Sequence, residues 1–173
     1  MDQLYAPWRD NYTQEVTHKK ACDLPESCVF CNQFKEHKDD TYFILARYNH
    51  NAILLNKYPY NGGHLLIIPL EHKPELQQYH VDVQQELIIL ASASCEILKR
   101  ELQAGGINIG VNQGKAAGAG IPAHLHLHVL PRWIGDTNFL PTLAETKQVS
   151  TDLGQLYTKL KPHFLELKKQ FAI

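Results

Sequence analysis

No stretch of this 173-residue chain stays apolar for the ~18 residues that a membrane span needs. Charge of one sign is also missing. Seventeen Lys and Arg stand against 18 Asp and Glu, a formal charge of −1. That balance offers no electrostatic footprint for nucleic acid or an anionic membrane. The opening MDQLYAPWRDNY has neither a basic n-region nor an apolar leader, so no secretory signal is expected and the cytoplasm is the expected compartment. Internal repeats, low-complexity tracts and linkers are absent too, which leaves one domain over 1–173, long enough for a hydrophobic core. Cysteine is scarce, at four residues: Cys22, Cys28, Cys31 and Cys95. Cys28 and Cys31 form a C-x-x-C, which in a cytosolic chain reads as a metal or redox pair before it reads as a disulfide. Two small buried thiols are the alternative. Cys95 falls on a helical apolar stripe as a small core residue, and Cys22 receives no assignment.

The polar and aromatic segment 1–27, with Tyr5, Trp8, Arg9 and Tyr12, reads as an N-terminal arm packed on the domain or on a partner subunit. Three strands follow: Thr41–Tyr48, Ala52–Asn56 and His64–Pro69, with Asn49-His50-Asn51 as turn residues between the first two. Their short links favour an antiparallel meander, since parallel pairing needs long crossovers. Leu87, Leu90, Ala91, Ser94, Cys95, Leu98 and Leu102 recur at helical spacing. Asp82 with Gln85 is the expected cap, and Gly105-Gly106 the expected stop. Ile107–Asn112 is a fourth strand. Leu153–Phe171 is a second helix, within a C-terminal extension over 150–173, and Pro162 predicts a break inside it. The fold class is α+β.

His124, His126 and His128 alternate with Leu125, Leu127 and Val129, and Pro131 closes the run. Side chains at i, i+2 and i+4 share one face of a strand, so this fifth strand carries three imidazoles on one side. A lone strand histidine is ordinarily a satisfied structural residue. Three on one face gain little for stability, because each buried imidazole needs its own partners. Two readings remain: a metal cage, or a nucleophilic histidine tuned by its neighbours, since imidazole at a pKa of ~6.5 is available in neutral form. The upstream loop of Gly, Ala, Asn and Lys115 favours the second, because backbone N–H groups and an ammonium suit phosphate oxygens.

The run HLHLHVLPRW, with the Gly/Ala loop before it, resembles the signature of the histidine triad (HIT) superfamily. More narrowly, NKYPYNGGHLLIIP, AGAGIPAHLHLHVLPRWIGDTNF and APWRDNY resemble bacterial members akin to diadenosine tetraphosphate phosphorylase. The resemblance implies a five-stranded antiparallel sheet with two main helices, paired as a homodimer. It implies His126 as the nucleophile that forms a nucleotidyl–imidazole intermediate, with His128 orienting it and touching phosphate, and His124 as the first of the triad. Asn56 would grip the ribose hydroxyls, although a turn-capping role suits it as well. Asn112 would face the phosphates, and Gly118, Ala119 and Gly120 would form the phosphate loop. Ile121 stands where some relatives carry a donor. Trp133 and Arg132 read either as packing residues or as contacts beside the substrate, within one chain or across a dimer.

The same resemblance implies a structural zinc held by Cys28, Cys31, His72 and His124, and no organic cofactor. The expected activity is cleavage of a phosphoanhydride at the α-phosphate of an adenine nucleotide such as diadenosine tetraphosphate, by hydrolysis or phosphorolysis. A phosphoramidate hydrolase is an alternative, as is a nucleotide-binding sensor with incidental catalysis. A zinc-held structural module is a third class.

Overall fold

The computed structural model describes residues 25–137 and 152–171. The N-terminal arm, apart from its last three residues, and Cys22 lie outside the described residues. Five strands form one antiparallel sheet: β1 (Ile44–Arg47), β2 (Asn51–Leu55), β3 (Leu65–Pro69), β4 (Gly106–Val111) and β5 (Leu127–Arg132). Their spatial order is β1-β2-β3-β5-β4. The first three form the expected meander, and β5 then inserts between β3 and β4, leaving β4 at an edge.

The first and third strands are shorter than the apolar runs that announce them. Phe43 takes a left-handed backbone (φ 56°), so β1 starts only after it. Asn51 is not a turn residue. It opens β2 opposite Pro69, fully buried. Its Nδ2 donates to Glu86 Oε2 at 2.7 Å and to the Val83 carbonyl at 3.2 Å. The same Glu86 carboxylate accepts from the Asn49 and His50 backbone N–H groups. A helix carboxylate thus satisfies the β1–β2 connection, which no local pattern announces.

Among the described residues there are three α-helices: α1 (Val29–Glu36), α2 (Val81–Leu102) and α3 (Leu153–Phe171). The two long ones are those read from periodicity, and Leu87, Leu90, Ala91, Ser94 and Leu98 of α2 are buried as expected while Cys95 is half-buried. The ends of α2 differ from expectation. His80, not Asp82, is the N-cap, its side chain accepting from the Asp82 N–H. Gln103 in a left-handed conformation (φ 53°) stops the helix, and Gly106 already belongs to β4. Pro162 does not break α3. An internal proline costs about 3 kcal/mol. Leu156, Tyr157, Leu160 and Phe164 are all buried, and each fully buried large apolar side chain returns about 1.5–3 kcal/mol, so packing outweighs the lost hydrogen bond.

The sheet divides two apolar layers. Leu127, Val129, Leu65 and Ile67 pack with α2 and α3 in the main core. On the other face Leu66, Ile68, Ala52 and Leu54 pack with Phe30, Cys28, Cys31 and Phe34 from α1 and its first flank. The alternation of β5 therefore sends its aliphatic residues to the long helices and its histidines to the side of α1. Among the described residues, no helix is long and apolar enough to cross a membrane.

Candidate active site and metal centre

His124 and His126 precede the regular strand, which begins only at Leu127. The three imidazoles still share one side. Phe30 meets the rings of both His124 (5.6 Å between centroids) and His126 (5.5 Å), and His126 meets His128 at 5.0 Å. The hydrogen-bond partners of the three then differ.

His126 is 5% exposed. Its Nδ1 lies 2.9 Å from the His124 carbonyl. A carbonyl can only accept, so Nδ1 carries the proton and Nε2 carries the lone pair. Burial holds its pKa below the ordinary imidazole value. His126 is therefore a neutral imidazole with a bare Nε2 at physiological pH.

The tautomer of His128 is set by a residue that the sequence reading passed over. The Tyr60 backbone N–H donates to His64 Nδ1 at 3.1 Å, so His64 must be protonated on Nε2. That Nε2 lies 2.9 Å from His128 Nδ1, which must then accept, leaving the His128 proton on Nε2. Among the described residues this buried Nε2–H has no partner. A desolvated donor without an acceptor is costly, and here it sits beside the candidate nucleophile. Burial, reinforced by neighbouring imidazoles, pushes His64 down to about 3 and His128 down to about 4, so both stay neutral. Tyr60 stacks on His128 at 5.8 Å with 16° between planes. Gly63, just before His64, adopts φ +80°, which favours glycine, and a Cβ there would meet the Leu102 side chain. The only sequence signal for His64 was its position after Gly-Gly at the head of an apolar strand.

His124 faces the other way. Its Nε2 donates to the Pro69 carbonyl at 2.8 Å, so Nδ1 is the bare nitrogen. Three atoms crowd that Nδ1: Cys28 Sγ at 3.3 Å, Cys31 Sγ at 3.6 Å and His72 Nδ1 at 3.3 Å. Cys31 Sγ is also 3.3 Å from His72 Nδ1. An imidazole nitrogen serves one in-plane partner, so hydrogen bonding cannot satisfy this cluster. A cation at its centre can. Zinc bonds of about 2.3 Å to sulfur and about 2.05 Å to nitrogen give tetrahedral edges of roughly 3.3 Å (N–N) and roughly 3.6 Å (S–N). The four ligand atoms all lie within 4.8 Å of one another. The donor set fits zinc, and with four protein ligands the centre would be closed and structural, tying α1 to the residue two before His126. Metal-free, burial and the neighbouring Cys28 push the Cys31 thiol up to about 11, so a cation must displace its proton.

Cys28 shows how the local sequence serves this site. It occupies the N-cap of α1 without a side-chain capping bond, and its thiol turns to His124 instead. Helix α1 is eight residues long with only Phe30, Cys31 and Phe34 buried, too short to stand out by periodicity.

Asn56 caps a turn, its Oδ1 accepting from the Tyr58 N–H at 3.0 Å, and its Nδ2 lies 3.2 Å from His64 Nδ1. Asn112 directly follows Val111, the last residue of β4, which pairs with Leu127. The glycine loop differs from a simple row of open donors. A 3₁₀ turn over Lys115–Ala117 ends at Gly118 (φ 85°), and the N–H groups of Ala117, Gly118 and Ala119 donate to Gly114 or Lys115 carbonyls. Ala119 is buried, while Lys115 and Gly120 are exposed. Ile121 packs against the α1-side core. Trp133 and Arg132 are engaged elsewhere. Trp133 Nε1 donates to the Leu102 carbonyl at the end of α2 at 3.2 Å. Arg132 grips Asp136 at 2.6 and 2.9 Å and Asn108 at 2.9 Å.

An AP-4-A phosphorylase of Mycobacterium tuberculosis is 32% identical over 152 residues, covering 86% of this chain and 77% of the relative. A bis(5'-nucleosyl)-tetraphosphatase (asymmetrical) of Schizosaccharomyces pombe is 28% identical over 89 residues, 51% of this chain and 48% of that protein. The fold matches a zinc-bound histidine triad family protein from Mycobacterium smegmatis with a TM-score of 0.68 at 24% identity, over 85% of this chain and 99% of the other. Residues 37–133, from the end of α1 to the residue after β5, match the family described as HIT domain, and this chain belongs to that family.

Proposed function

We propose that the protein is a dinucleoside polyphosphate hydrolase or phosphorylase that works through a nucleotidyl-histidine on His126. The observation that carries this reading is the fixed pair of tautomers: a bare Nε2 on His126 beside an unpartnered, buried N–H on His128. Nε2 attacks the α-phosphorus, a P–N bond forms, and the bond to the bridging oxygen breaks, the departing nucleotide leaving with the electron pair. The His128 N–H donates to a phosphate oxygen as charge develops there. The His124 carbonyl, which accepts from His126 Nδ1, stabilises the ring as it becomes cationic. Water or inorganic phosphate then attacks phosphorus, and the lone pair returns to His126. Asn56 binds the ribose, and Asn112 with the loop around Gly118, Ala119 and Gly120 faces the phosphates. An adenine nucleotide is the expected substrate, by likeness to the relatives named above. Cys28, Cys31, His72 and His124 would hold a zinc ion whose four protein ligands tie α1 to the segment before His126. Free thiols at Cys28, Cys31 and Cys95 suit a reducing cytoplasm. The edge strand β4 exposes Ile109, and α2 exposes Ile88 and Ile89, surfaces suited to a homodimer.

The test is diadenosine tetraphosphate turnover by the wild type and His126→Ala, with and without inorganic phosphate. His126→Ala should be folded and inactive, and the wild type should trap labelled AMP on His126. ADP formed only when phosphate is added marks a phosphorylase. Retained turnover in His126→Ala removes the assigned nucleophile, and tight binding without turnover in the wild type marks a binding protein instead.

A further inference from the structure

His72 and His124 come from segments 52 residues apart, yet their Nδ1 atoms must meet within 3.3 Å. The His72 segment runs from Leu70 to Gln78 without a regular strand or α-helix. Its ends are tethered: the Leu70 N–H donates to the His50 carbonyl, and the Leu76 N–H to Gln113 Oε1. The middle is held by Tyr79. Its hydroxyl accepts from the Lys73 N–H at 3.1 Å and lies 2.7 Å from the Lys73 carbonyl and 3.0 Å from the Glu71 carbonyl. It therefore grips the backbone on both sides of His72. The Lys73 carbonyl in turn accepts from the Leu125 N–H at 2.9 Å, the residue directly after His124. One carbonyl links the neighbours of the two imidazole ligands, and the Tyr79 hydroxyl reaches that carbonyl too.

Tyr79 is itself fixed. It is 4% exposed, its ring packs with Val83 of α2 and with Leu125, and Gln84 Nε2 donates to its carbonyl at 2.9 Å. We propose that Tyr79 is the positioning residue of the metal centre, holding His72 at the distance from His124 that one cation requires. The proposal rests on the zinc reading of the Cys28, Cys31, His72 and His124 cluster. A phenylalanine at this place keeps the ring in its pocket and loses every hydroxyl link to the His72 segment, so the ligands remain but their spacing is no longer held. Partners that orient metal ligands contribute about 10- to 100-fold to affinity.

The experiment compares wild type and Tyr79→Phe, each stripped and reloaded. Zinc affinity is measured against a chromophoric chelator, cobalt(II) absorption reports ligand geometry, and thermal melts are taken metal-free and zinc-loaded. The expected result is zinc affinity about 10- to 100-fold lower, altered cobalt bands, and metal-free melts closer together than the zinc-loaded ones. Unchanged affinity and cobalt spectrum, with both melts lowered alike, would reduce Tyr79 to a packing residue and overturn the proposal. A wild type that takes up neither zinc nor cobalt overturns it differently, by removing the metal centre itself. If Tyr79→Phe does not fold, Gln84→Leu carries the test: it releases Tyr79 from α2 but keeps the hydroxyl. Weaker zinc binding there supports the proposal, and unchanged binding overturns it.

Discussion

Replacing His64 by leucine is the sharpest perturbation of the proposed chemistry that leaves every triad residue in place. The two side chains are close in volume, and His64 is 1% exposed, so a polar substitute would add a desolvation cost of its own. In the leucine variant His128 Nδ1 loses its donor at 2.9 Å, and the His128 proton is no longer confined to Nε2. The N–H that would meet a charged phosphate oxygen is then lost. Such a bond is worth about 1.5–3 kcal/mol, which converts to a fall of about 10- to 150-fold in kcat/KM. His64→Gln should fall less, because its amide can donate to His128 while its oxygen accepts from Tyr60. The assay is kcat/KM on diadenosine tetraphosphate, paired with nitrogen-15 spectra that report which His128 nitrogen is protonated. A folded His64→Leu within about twofold of the wild type, or a wild-type His128 carrying its proton on Nδ1, refutes the reasoning.

Acid should destabilise the fold through the same residues. Burial, reinforced by neighbouring imidazoles, holds His64 at about 3 and His128 at about 4, against about 6.5 in the unfolded chain. Below that value the unfolded chain binds protons that the folded one refuses. Stability is therefore full above pH ~6.5 and drains by about 1.4 kcal/mol per pH unit for each histidine as the pH falls towards about 4. Denaturant midpoints followed from neutral pH downwards should show this slope, and His128→Asn should flatten it; equal slopes would contradict the assignment. The edge strand gives a separate expectation. Ile109, 50% exposed on β4, changed to Glu should shift sedimentation from dimer to monomer by placing a charge on the strand edge. A wild type that already sediments as a monomer, or a variant that stays a dimer, counts against pairing through β4.

Much of the architecture was legible because it follows from short-range rules. The period-two alternation around His126 placed aliphatic groups in one layer and imidazoles in the other, and the stripe from Leu87 to Leu98 located the long helix. What failed was local punctuation. Asn51 reads as a turn residue until Glu86 arrives from a helix 35 positions away. Pro162 reads as a helix breaker until Leu160 and Phe164 are buried. In both places long-range contacts outweigh a propensity of a few kcal/mol. Glycine and alanine in the loop promised open backbone donors, yet three of them close a turn of their own, since composition does not say where an N–H points.

The sequence by itself determined the chemical inventory and its sidedness: three imidazoles in step with a strand, a pair of thiols three residues apart, and a meander of three strands that short links make antiparallel. Only the tertiary structure decided the division of labour. Whether a histidine nitrogen donates, accepts or ligates depends on the one atom in front of it, and those atoms come from elsewhere in the chain: the Pro69 carbonyl and two thiols for His124, and His64 for His128. An imidazole is ambivalent until folding supplies its neighbour, and that is why three histidines within five positions present different atoms: a bare Nδ1 on His124, a bare Nε2 on His126 and an Nε2–H on His128.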